Sequence, residues 1–319
     1  MKLKLIALAA MLAAGSAQAA IDTGLPNIDP ASTGNGELLL NLKWKDTNTT
    51  DGNQSVSATF DLGITMDYAV ANFNTAGYSR SWDLSSYGSA FSTFTSAAVM
   101  ANAEMNVIAF DGTESAGEPG EKRILSTTSG INATGTGLSL LSSSIPANDN
   151  FNTIFGNTTV NNFLVAVNNS NSHNSVANGA SNADASSGFA WFDNGTGMDK
   201  FANLSGFDST NKFDGSYAAG SGVLSGQARA LPFYMLVASS IDPIQKATMT
   251  PFGYDLDGDG VIEFGNAEGL NEYGLWTLQG STLTFANPVA AVPEAETYAM
   301  MLAGLGLVGF MVRRRRNAI

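Results

Sequence analysis

Gly36-Glu-Leu-Leu-Leu-Asn-Leu-Lys-Trp44, followed after a polar interval by Ser55-Val-Ser-Ala-Thr-Phe-Asp-Leu-Gly63, is the stretch on which the fold class turns. In the second run Val56, Ala58, Phe60 and Leu62 alternate with Ser57, Thr59 and Asp61. A period of two places the apolar set on one face of an extended strand and the polar set on the other. The interval from Asp46 to Asn53 is made of Asp, Thr, Asn and Gly, residues that supply turn conformations. The pair is therefore predicted to be an antiparallel hairpin with one buried face.

Further strands are predicted outward from this pair, at Met105–Phe110, Phe163–Val167, Phe233–Ala238, Leu275–Leu278 and Thr282–Phe285. Short apolar, β-branched or aromatic runs separated by turn signals predict an all-β class, a β-sandwich or jelly-roll-like exported domain spanning residues 20–288. Ser89–Met100 is predicted to be a helix, because Phe91, Phe94 and Ala98 recur at three-to-four spacing. A second helical candidate lies around Asn150–Phe155. Asn168–Ser187 has almost no large apolar residue and reads as a long exposed loop. No internal repeat is evident.

Composition narrows the function classes. The 319 residues hold 15 Lys and Arg against 28 Asp and Glu, a formal net charge of −13. Lys2, Lys4 and Arg313–Arg316 sit at the two ends, so the domain between them is more acidic still. Such a charge repels phosphate backbones, which sets nucleic acid aside as a partner, and it favours divalent cations. The chain has no cysteine, which removes disulfides, thiolate metal sites and a cysteine nucleophile. Its one histidine, His173, stands in Asn-Ser-His-Asn, so a serine triad would have to be built on a polar loop.

Asp22-Thr23-Gly24 resembles the signature tripeptide of aspartic proteases, but the mechanism needs a second such element and none follows. A glycosidase pair needs two carboxylates with no fixed spacing, which leaves Glu37, Glu104, Glu114 and Glu263 unranked. Trp82, Trp191, Phe192, Tyr217 and Trp276 are the aromatics available to stack on sugar rings, although in β proteins such residues more often fill the core. No catalytic residue is assigned, and the domain is read as non-enzymatic.

One motif carries definite chemistry, Asp255-Leu-Asp257-Gly-Asp259-Gly260-Val261-Ile262-Glu263. Acids at alternate positions followed by glycine match the first half of a calcium loop, since glycine lets the chain wrap and a hard cation prefers oxygen donors. Asp255, Asp257 and Asp259 are the predicted carboxylate ligands, and Val261 would add its carbonyl. Ile262 would tie the loop to the core. The twelfth position, normally a bidentate Glu, is Asn266, for which Glu263 or Glu268 could substitute. No flanking helices are predicted, so the site would be a structural calcium loop among strands.

The ends give the destination. Lys2 and Lys4, the apolar run Leu5–Ala14 and the small pair Ala17 and Ala19 form the three parts of a secretory signal peptide, residues 1–19, cut by signal peptidase after Ala19. At the other end, residues 289–319, Val292-Pro293-Glu294-Ala295-Glu296 leads into the uncharged stretch Tyr298–Val312 and then Arg313, Arg314, Arg315 and Arg316. A transmembrane helix is expected over 298–312. Its 15 residues reach only about 22 Å at ~1.5 Å each, so snorkelling arginines and local thinning would complete the span. The arginine cluster would stay on the cytoplasmic side.

A Pro-Glu-Pro-like tripeptide, a glycine-rich apolar helix and a terminal arginine cluster resemble the PEP-CTERM sorting signal. The resemblance covers Val292 to Asn317 and departs from the pattern at Ala295, where a second proline is usual. It implies recognition through Pro293 and Glu294 by an exosortase, a membrane cysteine enzyme, in an exopolysaccharide-producing Gram-negative bacterium. The implied route crosses the inner membrane, passes through a transient membrane anchor and ends at the cell surface or outside the cell. The expectation is a calcium-stabilised surface or biofilm-matrix protein, associated with extracellular polysaccharide. The alternative is a secreted carbohydrate-binding module or polysaccharide-active enzyme.

Overall fold

Strands β1 (Glu37–Trp44) and β2 (Val56–Thr65) pair antiparallel, with Leu40 opposite Phe60 and Leu42 opposite Ala58, as the alternation predicts. Leu38, Leu40 and Leu42 join Ala58, Phe60, Leu62 and Ile64 in one buried apolar cluster. In this computed structural model the described residues are 22–24, 34–44, 56–87, 90–98, 103–112, 122–127, 180–183, 217–218, 229–238, 242, 244–262, 270–289 and 295–316. The chain divides into two units, Met1–Pro288 and Val289–Ile319.

In the first unit β2 runs directly into helix α1 (Met66–Asn72). The Thr65 hydroxyl accepts from the Tyr68 N–H and Asp67 occupies the first turn, both favourable at a helix N-terminus. Strand β3 (Ser79–Asp83) follows, then a 3-10 turn at Leu84–Ser86 and helix α2 (Ala90–Ala97). Helix α2 lies within the predicted helical segment and buries Phe91 and Phe94. The remaining strands are β4 (Glu104–Asp111), β5 (Arg123–Thr127), β6 (Ala180–Ala183), β7 (Tyr217–Ala218), β8 (Arg229–Val237), β9 (Thr248–Pro251), β10 (Leu275–Gln279) and β11 (Thr282–Ala286).

All pairings are antiparallel, in the order β3-β11-β10-β8-β5-β4-β1-β2-β6, with β7 added to β4 and β9 to β8. The all-β expectation holds. The sandwich or jelly roll gives way to one continuous sheet curled into a nearly closed barrel. Strand β8 makes the corner: Arg229–Pro232 pair with β10, whereas Phe233–Val237 pair with β5. Strand β3, one end of the path, meets β2 near the other end, where the Trp82 indole N–H donates to the Leu62 carbonyl at 2.8 Å. That bond ties down edges that would otherwise invite pairing with another chain.

The barrel interior is aromatic on its β8–β11 side. Phe73 stacks on Phe285 with ring centroids 4.1 Å apart, and Phe233 stacks on Phe252 at 5.0 Å. Trp276 meets Phe73, Trp82, Phe233 and Phe285. Trp82 and Trp276, two of the aromatics considered for sugar stacking, are therefore core residues.

Two expectations are corrected. The far face of β1, β2 and β4 is buried as well, since Asn41, Thr59, Asp61 and Asn106 are at most 2% exposed. They satisfy one another in part: Thr59 Oγ1 donates to Asn41 Oδ1 at 2.8 Å, and Asn41 Nδ2 donates to Asn106 Oδ1 at 2.9 Å. Within the segment read as a long exposed loop, Ala180–Ala183 forms β6 on the free edge of β2, where backbone bonding needs no apolar side chains. The segments Asn150–Phe155 and Phe163–Val167, His173, Trp191 and Phe192 lie outside the described residues.

The second unit contains helix α3 (Ala295–Arg316), longer at both ends than the expected span 298–312. Met300–Val308, Met311 and Arg313 are exposed. No helix among the described residues is long and apolar enough to cross a membrane. The uncharged run of residues 298–312 lies inside α3, with Glu296 before it and the arginines after it.

Candidate functional site

The acidic loop hangs from a narrow antiparallel neck. Beyond β9, Gly253 bridges Tyr273. The Tyr254 N–H donates to the Glu272 carbonyl at 2.9 Å and the Gly274 N–H to the Phe252 carbonyl at 2.8 Å. Phe252 and Tyr273 are buried, which anchors both sides of the neck in the barrel. Ile262 is half-buried, and a Cβ added at Gly253 would lie 2.8 Å from its Cγ2, so it packs back on the neck as expected.

Within the loop the carboxylates organise the backbone. Asp255 accepts from the Gly258 N–H at 2.6 Å and, through its other oxygen, from the Gly260 N–H at 2.8 Å. Asp257 accepts from the Asp259 N–H and Asp259 from the Val261 N–H at 2.7 Å. Gly258 and Gly260 take φ of 80° and 86°, a region that side chains disfavour, and so let the loop wrap. The Gly260 N–H is the main reason the Asp255 carboxyl lies below the usual carboxylate range. Asp257 is shifted upward by desolvation and by the negative charges of Asp259, Glu272 and Asp255.

One carboxylate oxygen each from Asp255, Asp257 and Glu272 lie within 4.8 Å of one another. Oxygens this close can share one metal ion, and carboxylate donors suit a hard cation. Glu272 is fully buried, and its Oε1 also accepts from the Leu256 N–H at 2.9 Å, which orients it toward the loop. Each carboxylate oxygen has a second lone pair available after such a bond.

Of the predicted ligands, Asp255 and Asp257 come together with Glu272, while Asp259 is not part of that cluster. Val261 is exposed at the end of the described loop, and Glu263, Asn266 and Glu268 lie outside the described residues. Glu272 was not anticipated. Its proximity to Asp255 depends on the Gly253–Tyr273 bridge, which returns the chain to its starting point. Asn-Glu-Tyr-Gly after a turn-rich stretch was the only trace of that return in the sequence.

The sorting residues are distributed differently. Arg313, Arg314, Arg315 and Arg316 form the last turn of α3, where cations complement the helix dipole. Val292, Pro293 and Glu294, like Ala17 and Ala19, lie outside the described residues. Residues 291–316 match the family model described as the PEP-CTERM protein-sorting motif. That motif marks the chain as an exosortase substrate, in agreement with the resemblance read from its tail. Proteins that carry it are exported and sorted to the cell surface. No curated protein and no solved structure matches the chain.

Proposed function

We propose that the chain is a non-enzymatic structural protein of the cell surface or extracellular polysaccharide matrix, released from its tail by exosortase and stabilised by calcium. The observation that carries the reading is the sorting motif at 291–316, which marks proteins exported and sorted to the cell surface. Support comes from the cysteine-free composition, which leaves a bound cation as the available staple outside the cell, and from the Asp255, Asp257 and Glu272 triad. Before processing, α3 would hold the protein transiently at the membrane, with its arginines on the cytoplasmic side.

The test is the intact mass and cellular fraction of the protein from its own host. A species that begins at Ala20, lacks the arginines and fractionates with the matrix or outer surface is the expected result. A species that keeps Arg313–Arg316 and sediments with the inner membrane would replace this reading with a tail-anchored periplasmic one. Calcium is tested separately by thermal melting: the ion raises Tm of the unaltered protein and Asp257→Ala removes the rise. Absence of any rise in the unaltered protein would retire the metal.

A further inference from the structure

Two arginines of the first unit are held in opposite ways. Arg123 is spent within the fold, on Asp111 at 2.7 Å and Asp67 at 2.8 Å. Arg80, half-buried on β3, lies instead against aromatic rings. Its Cζ is over the Tyr68 ring of α1, 5.4 Å from the centroid, and over the Trp82 ring at 5.2 Å. Among the described residues no carboxylate pairs with it. The acids nearest in sequence are committed elsewhere: Asp67 to Arg123, and Asp83 Oδ1 to Ser85 and Ser281. Asp and Glu outnumber Lys and Arg 28 to 15, so the chain does not lack carboxylates to set beside this cation. Its charge is left for an anion from outside.

The surroundings are fixed and partly open. Trp82 is held by its indole bond to the Leu62 carbonyl and by the Trp276 ring at 5.4 Å. Tyr78 packs on Phe73 with centroids 5.1 Å apart, and its hydroxyl donates to the Tyr68 hydroxyl oxygen at 3.4 Å. That bond leaves the Tyr68 proton without an acceptor among the described residues. Tyr68 is 40% exposed in the first turn of α1, where the Thr65 hydroxyl accepts from its backbone N–H. A guanidinium, a phenol proton and an accessible ring therefore stand side by side, each placed before any ligand arrives. Guanidinium and phenol donate to a carboxylate, and the ring offers an apolar face to the C–H side of a sugar.

We propose that Tyr68 and Arg80 form a binding site for the uronic-acid residues of an acidic polysaccharide, with the carboxylate on Arg80 and the Tyr68 hydroxyl and the sugar ring on Tyr68. The ligand class follows from the two chemistries meeting in one place. A bare anion would leave the exposed ring unused, and a neutral sugar would cover the arginine without neutralising it. The domain's overall negative charge opposes such a polymer only at short range, since salt screens it beyond about 8 Å under physiological conditions. The inference rests on the matrix reading for the source of the ligand.

The experiment measures binding of a galacturonate oligomer to the processed protein by calorimetry, with a chelator present so that calcium forms no bridge. Two controls separate the sources of affinity. The methyl-esterified oligomer keeps the sugar and loses the charge; polyacrylate of matching length keeps the carboxylates and loses the sugar. The galacturonate oligomer is expected to bind roughly tenfold more tightly than either. Arg80→Gln and Tyr68→Ala should each lower its affinity about tenfold, and Tyr68→Phe, which keeps the ring and removes the donor, about fivefold. Melting curves establish that each variant is folded, and Tyr68→Phe, at an exposed position, keeps the test decisive should Arg80→Gln fail to fold. Polyacrylate binding as tightly as the oligomer would reduce the site to general charge attraction and overturn the inference. So would an oligomer that does not bind, or one whose affinity is unchanged in Arg80→Gln or in Tyr68→Phe. None of these outcomes touches the sorting reading, which stands or falls on intact mass and cellular fraction.

Discussion

At Glu37 and Asp61 burial opposes ionisation, and the sign of its effect on stability follows from the proton balance. Unfolded, the two groups titrate near 4.5 and 3.8; folded, near 7 and 6. Between those limits the folded state holds protons that the unfolded state has released, so stability falls as pH rises through the window. Tm is expected to drop as pH rises between about 3.8 and 7. Glu37→Gln should flatten the upper part of that drop and Asp61→Asn the lower part, and melting curves across the range check it. Gly24→Ala is expected to cost about 2–4 kcal/mol, because the left-handed backbone and the Phe110 carbonyl both oppose a methyl group; denaturant unfolding measures it. Neither residue pair declares itself in the sequence. Alternation showed that Asp61 lies opposite Phe60 and Leu62, but period two cannot say whether a second face is covered by chain from elsewhere. Asp22-Thr23-Gly24 carries a close-packing requirement that looks, in one dimension, like a chance match.

The elements that sequence reading located are those whose apolar pattern is local: β1, β2, β4, β8, β10, β11 and helix α2 all stand on their own hydrophobic residues. Those it missed depend on partners. Strand β3 is Ser-Arg-Ser-Trp-Asp, with Trp82 as its one buried side chain, and is held by pairing with β11. Strand β6 lacks any large apolar residue and exists because β2 has a free edge. Trp82 also makes the closing bond of the barrel, so Trp82→Phe keeps the ring in the core but leaves the Leu62 carbonyl without its indole donor. The expected cost is about 1–2 kcal/mol, with faster amide exchange in β3 and the second half of β2 as the local signature. The acidic loop follows the same logic: its Asp-x-Asp spacing is local and legible, whereas Glu272 reaches the site only through the neck. Glu272→Gln is therefore expected to reduce calcium binding, read by calorimetry, by tenfold or more, on the order of 1.4 kcal/mol, because it removes one of three charges and the ligand fixed by burial.

For the whole molecule, destination and stability are written in different parts of the chain. Among the described residues the barrel's core and strand pairings lie in the first unit, Met1–Pro288, and the sorting match at 291–316 lies in the second. Changes to the tail should therefore alter where the protein goes without altering how well it folds. Pro293 and Glu294 offer the sharpest case, since they fall within the sorting match and in the second unit. With both replaced by alanine, the protein in its host is expected to retain the tail through Arg316 and to collect in the inner-membrane fraction. Its thermal midpoint, measured after detergent extraction with and without calcium, should match that of the processed protein to within a degree or so, since surface changes away from packed features usually stay within about 0.5 kcal/mol. Normal processing in the double variant would mean that the enzyme reads the helix and its arginines in place of the dipeptide. The departure at Ala295 would then carry no consequence for sorting. A lowered midpoint would mean instead that the tail contributes to the fold, and that release from it is a structural event as well as a change of address.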